Sequence, residues 1–158
     1  MDFRKRVTPN NAKWLLKFYP PFLFNRISIL DVSEDFTEVN VKVKRSLFNM
    51  NLAKSMFGGS MFSAADPFIA IMFWQIFAIR FNQEIIVWLK SAEIIYKKPA
   101  KTSLFINFKI SEDEIVEAKK VLEETARFVA EHEVALKNTK GEVCAIVKLK
   151  SYLGNKES

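Results

Sequence analysis

At 158 residues, 49% of them hydrophobic, the chain can bury a sizeable core and is too apolar to be disordered. One cysteine, Cys144, excludes a disulfide framework and a cysteine zinc site, and one histidine, His132, excludes a site built on several histidines. The net charge of +6 favours anionic partners such as nucleic acid, nucleotide-bearing cofactors, acidic proteins or anionic lipid.

Residues 1–158 read as one domain. The basic start, residues 1–6, has no apolar run behind it and so does not read as a signal peptide; a cytoplasmic protein is expected. Thr8-Pro9 pairs an N-cap with proline at the first helical position and predicts a helix over about 9–19, ended by Pro20-Pro21. Trp14, Leu15 and Phe18 give it an apolar face, which packs on the outside of the domain or edges a binding channel. Residues 26–32 and 37–45 follow as a hairpin. In the second arm Thr37, Val39, Val41 and Val43 alternate with Glu38, Asn40, Lys42 and Lys44.

The next stretch organises the chain. From Ser55 to Ile79 the only charge is Asp66, and apolar side chains cover every face of the helix predicted over about 58–80. Such a helix is either a core helix or a membrane span. Asp66 and Pro67 would sit near mid-bilayer, where a carboxylate costs at least ~2.5 kcal/mol, and the rest of the chain supplies strands to wrap a core helix. Burial in protein is expected, with no membrane span.

Beyond it, residues 85–97 read as a long strand stopped by Pro99, and Leu104, Ile106, Phe108 and Ile110 mark the other arm of a second hairpin. Ser111 to Glu114 is a capping-box pattern opening an amphipathic helix on Ile115, Ala118 and Leu122. Residues 127–137 and 142–152 make a last hairpin across a turn-rich linker at 138–141. The pattern predicts an α+β domain, with a six-stranded antiparallel sheet curled around one apolar helix and the helices on one side.

The standard nucleotide-binding glycine motifs are absent. His132 shares a strand face with Phe128, Ala130, Val134 and Leu136, which predicts a satisfied histidine in the core or at a subunit interface. Cys144 reads as a small packed hydrophobe. Asp66 differs, because a lone carboxylate in an apolar helix must be paired, protonated or turned to a cavity. Burial would raise its pKa towards that of a general base, whereas a structural role would have it cap a backbone turn. Gly58-Gly59 leave N–H groups free at the helix start, suited to a developing oxyanion, or merely allow tight helix entry. Gly59 and Asp66 lie ~10 Å apart along one helix, too far to act on one carbonyl. If both act on one substrate, they come from two subunits of a two-fold dimer with antiparallel helices.

Asn51, Phe57-Gly58-Gly59 and Asp66 resemble the signature of hotdog-fold acyl-CoA thioesterases of the phenylacetate-degradation type. More similar still is a thioesterase-like branch, a domain of unknown function, with Phe-Gly-Gly-Ser and Asp-Pro. Its later pattern resembles Val87-Trp88-Leu89-Lys90 and Tyr96-Lys97-Lys98-Pro99-Ala100. The resemblance implies the hotdog fold and an acyl thioester substrate on coenzyme A or a carrier protein, with no cofactor and no metal. It also implies a homodimer that can pair into a tetramer. By resemblance Asp66 is the base or nucleophile, the Gly59 N–H the oxyanion donor, and Asn51 orients water or substrate. Phe57, Gly58, Ser60, Phe62, Trp88 and Lys90 line the substrate. Two positions depart from the pattern, Phe57 for the usual histidine and Lys54 for the usual glycine. A non-catalytic acyl-binding module is therefore the alternative. A nucleic-acid-binding module rests on charge alone and lacks a basic-aromatic stripe.

Overall fold

Each expected element forms where its local signals place it, and the exceptions come from long-range packing. The computed structural model describes residues 5–156. The start of the basic segment, residues 1–4, lies outside the described residues. Thr8 Oγ1 accepts from Asn11 N at 3.3 Å and caps helix α1, Pro9–Lys17. Pro20-Pro21 does more than end this helix. It opens a second one, α2, Pro20–Asn25, because proline is pre-organised for a first helical turn. Arg26 closes α2 in the left-handed region, with φ 59°.

Strands β1, Ile27–Val32, and β2, Glu38–Val43, pair antiparallel, and Val39, Val41 and Val43 are all buried as the alternation requires. Their turn is organised by Asp35, whose Oδ1 accepts from Ser33 Oγ, Thr37 N and Thr37 Oγ1. The central apolar segment is interrupted at Asp66. Helix α3, Gly58–Ala65, abuts α4, Pro67–Arg80, because Pro67 brings no N–H to continue the ladder. Phe68, Ile69, Met72, Phe73, Ile76 and Phe77 are buried around the circumference, so this is a core helix wrapped in protein. Phe68 lies between Phe22 of α2 and Phe108, with ring centroids 5.4 and 5.0 Å away.

Strands β3, Ile85–Tyr96, and β4, Leu104–Lys109, are followed by helix α5, Glu112–Thr125. Strands β5, Arg127–Lys137, and β6, Val143–Asn155, complete the sheet. The six strands are antiparallel in the order β1-β2-β4-β5-β6-β3. The expected hairpin of β3 with β4 does not form. β3 pairs with β6 at the far edge, β4 pairs with β2, and residues 97–103 cross between them. Pro99 and the length of this connection preclude a tight turn, and β3 runs back along the helix it follows. β3 carries a bulge between Leu89 and Ser91. β6 runs past Tyr152 to Asn155, since Gly154 continues the ladder under the Tyr152 ring.

Arg80, at the end of α4, donates to Asp35 Oδ2 at 3.1 Å and to Glu112 at 2.6 Å, fastening the helix to the first hairpin and to α5. Ser111 caps α5 by accepting from Glu114 N. His132 faces inward as expected, edge-on to Phe73, but it is not a satisfied histidine. Its Nε2 lies 3.2 Å from Glu114 Oε2, and neither ring nitrogen is aligned for a hydrogen bond. Cys144 is buried.

Candidate active site

Asp66 sits at the α3–α4 junction with helical backbone angles, on the face of the helix that borders a cavity. It caps no backbone N–H, and no group among the described residues hydrogen-bonds its oxygens. It is half-buried, and burial alone pushes its pKa above the ordinary 3.8. The carboxylate borders a cavity of about 750 Å³, walled by α1 and α2 through Leu16, Phe18, Tyr19 and Phe22, and by Trp74 and Val87. A carboxylate without a partner on an apolar cavity is poised to meet a ligand's proton or water.

Asn51, Ser55, Gly58 and Tyr96 border a different cleft, of about 380 Å³, closed by Lys97 and Pro99. Asn51 holds its own loop, accepting from Ser55 N at 3.1 Å and donating to Ser55 Oγ at 2.9 Å. Lys54, in that loop, has φ 57°, the left-handed conformation that glycine adopts without strain. The loop conformation at Lys54 is one that glycine would adopt freely, and it is held by Arg45 Nη2, which donates to the Lys54 carbonyl at 2.8 Å. Phe57 is the N-cap of α3, with its ring over Gly59 in the space a Cβ would need. The N–H groups of Gly58 and Gly59 have no backbone acceptor among the described residues, as befits a first helical turn.

One chain does not bring the expected site residues together. Asp66 borders one cavity, and Asn51 and Gly58 the other. Ser60 is buried, and its hydroxyl donates to Asn25 Oδ1 at 2.7 Å, tying α3 to α2. Phe62 is half-buried on α3, away from both openings. Trp88 borders the larger cavity and stacks on Tyr152 at 4.2 Å, and Lys90 is exposed at the β3 bulge. Sequence reasoning missed Trp74. With Asp66 and Ala70 it forms a stripe spaced by four residues, the signal that would have found it. Its indole N–H is buried without an acceptor. Among the described residues no group of three His, Cys, Asp or Glu side chains is placed to hold a metal ion.

The six-stranded antiparallel sheet around a long helix is matched by known proteins. Residues 11–153 match the model of a domain of unknown function, DUF4442. The chain belongs to that family. No curated protein matches this DUF4442 chain. Among solved structures it is similar to a Pseudomonas aeruginosa protein of unknown function described as a probable thioesterase. That match has a TM-score of 0.85 at 16% identity and covers 97% of this chain and 99% of that one. It is similar also to the Escherichia coli PaaI protein of the phenylacetic acid degradation operon, with a TM-score of 0.60, 15% identity and coverage of 94% and 93%. A third match is a hypothetical thioesterase from Streptococcus pneumoniae solved with coenzyme A, with a TM-score of 0.58, 15% identity and coverage of 84% and 88%. The fold of the DUF4442 chain is the hotdog fold of these thioesterase-like proteins.

Proposed function

We propose that this protein hydrolyses an acyl thioester at a site completed by a second copy of the chain. The observation that carries the reading is Asp66, unpartnered and half-buried on an apolar cavity of a size for an acyl chain. In this reading the Asp66 carboxylate takes a proton from water, and the water oxygen attacks the thioester carbonyl carbon. The oxyanion is held by the Gly59 N–H of the partner subunit. Collapse breaks the C–S bond, and the thiolate leaves with the proton from Asp66, giving a carboxylic acid and a thiol.

The geometry of β3 supports a shared site. β3 is a sheet edge, an open row of backbone donors and acceptors. Asp66 shares its cavity with Val87 and Trp88, while Gly58 lies against Tyr96. Antiparallel pairing of two β3 edges about Ala92 would bring Trp88 of each chain near Tyr96 of the other. Asp66 would then approach the glycines across the two-fold axis. Pairing of dimers into tetramers is a further step in the same reading. The coenzyme A in the Streptococcus pneumoniae structure favours coenzyme A as carrier, and an acyl-carrier protein would suit the same net charge of +6. The reading needs no cofactor, metal or nucleic acid, and its setting is the cytoplasm.

Phe57 favours the second reading, a non-catalytic acyl-binding module, because it places an apolar ring over Gly59 where the resembled signature has a polar histidine. Free-thiol release from a panel of short- to long-chain acyl-CoA thioesters separates the two. Hydrolysis that Asp66→Asn abolishes supports the enzyme. Binding without turnover across the whole panel supports the module.

A further inference from the structure

The first two helices and the residues between them leave a run of large apolar side chains outside the fold. α1 and α2 are anchored inward by Ala12, Leu16 and Phe22. On the other side Trp14 is 65% exposed, Phe18 57%, Tyr19 48%, Leu23 48% and Phe24 67%. Leaving this many neighbouring large apolar side chains in water marks an interaction surface.

The two helices and the segments that flank them carry cations and no carboxylate, while Asp66 stands on the cavity they wall. Residues 5–30 contain Lys5, Arg6, Lys13, Lys17 and Arg26 and no carboxylate. Lys17, Arg26 and Lys44 of the neighbouring chain segment meet at a cleft of about 220 Å³ beside Leu23. None of the three ion-pairs with a carboxylate among the described residues, and what sets them apart from other unpaired lysines is that they converge on one cleft beside exposed apolar side chains. Three cations without counter-charges, set beside apolar aromatics, match the phosphates and upper acyl region of a lipid bilayer. Tryptophan and tyrosine are the side chains that settle at that boundary.

We propose that the α1–α2 face docks the protein on an anionic lipid bilayer and holds the rim of the Asp66 cavity at the bilayer surface. A soluble phosphate ligand would use the cations but leaves Trp14 and Phe24 unexplained. A second copy packed two-fold about the cation cleft would crowd Lys17, Arg26 and Lys44 of both copies together, a like-charge contact. Phe18 and Tyr19 belong both to the exposed face and to the cavity wall, so a docked molecule presents the cavity to lipid-soluble acyl groups. The docking stands apart from the thioesterase reading, and only the delivery of an acyl substrate rests on it.

Co-sedimentation with phosphatidylcholine vesicles, with and without phosphatidylglycerol, tests the proposal. Wild-type protein should bind the phosphatidylglycerol vesicles at least about tenfold more tightly, and lose binding as salt is raised. Lys17→Glu/Arg26→Glu/Lys44→Glu should abolish that preference. Trp14→Ser/Phe24→Ser should weaken binding about tenfold with an unchanged circular dichroism spectrum and thermal transition. Asp66→Asn should bind vesicles as wild type does, so turnover and docking are read separately. Three outcomes overturn the proposal: no wild-type binding to anionic vesicles, binding that survives the charge reversal, or Trp14→Ser/Phe24→Ser dissociating an oligomer instead. Protection from unfolding by inorganic pyrophosphate through the same cations, with no vesicle binding, would assign the cleft to a soluble phosphate.

Discussion

The Tyr96 phenol on β3 stands over Gly58 at the start of α3, so that a methyl group at residue 58 would lie 2.5 Å from its oxygen. This approach locks the first turn of the central helix to the sheet edge that would meet a second subunit. Gly58→Ala must push the ring aside. Tyr96 is about half exposed and can swing outward, so the fold should survive with a loss of about 1 kcal/mol. Thioester hydrolysis should fall at least about tenfold, because the displaced ring crowds the N–H groups of the first turn. In a Tyr96→Ser background the same change should cost little stability, the non-additivity expected of residues in contact. Equal Gly58→Ala losses in both backgrounds, read from thermal melts, would refute the contact.

Asp66→Asn should lower turnover by about two orders of magnitude or more, since the amide cannot take up a proton. In wild type the activity should decline as pH falls through an apparent value above 3.8, the direction set by burial. The stability effect has the opposite sense. A carboxyl whose folded pKa is raised binds protons more readily folded than unfolded, so above pH 3.8 stability falls as pH rises through the folded value. Asp66→Asn should remove that slope and melt at the same temperature or higher at neutral pH. An active but less stable variant would end the case for Asp66 as the base.

Pairing of β3 edges about Ala92 sets Ser91 opposite Glu93 of the other copy. Both are exposed, so charge can be changed there without touching the core. Ser91→Glu places like charges across the seam twice per dimer, and Ser91→Lys places opposite ones. Sedimentation velocity should show Ser91→Glu shifted towards monomer, with lost turnover, and Ser91→Lys dimeric and active. A wild-type monomer at micromolar concentration would sink the shared site.

Asp35 provides an acid-side marker of the fold. Burial raises its pKa, but hydrogen bonds from Thr37, Ser33 and Arg80 together outweigh burial and hold the carboxyl at about 2. A depressed carboxyl stabilises the fold above its ordinary 3.8 and loses that contribution as pH falls towards about 2. Melting curves across that window should be steeper for wild type than for Asp35→Asn, which also loses its ion pair to Arg80. Parallel curves would show that Arg80 holds the hairpin without it.

Local signals carried most of the elements. Alternation over 37–45 names the buried face of β2, and Val39, Val41 and Val43 are where it puts them. Thr8-Pro9 starts α1, Ser111 caps α5, and the apolar run broken once by Asp66 is the central helix. These succeed because capping, proline stereochemistry and side-chain period act within a turn or two of the chain. Strand neighbours were not legible in the same way. The period shows which face of β3 is buried but not which strand lies beside it, and the assumed β3–β4 hairpin gave way to pairing with β6.

By itself the sequence determined the class of fold, the one carboxylate in the apolar helix and the glycines ahead of it, since each is a local fact of residue type and order. Only the tertiary structure decided that Asp66 has no partner, that α1 and α2 wall its cavity, and that Asn51 and Gly58 border a separate cleft. It also decided that Lys17, Arg26 and Lys44 converge beside exposed aromatics. Each of these depends on distances between segments far apart in the chain, and those distances are set by how the sheet closes on its helix.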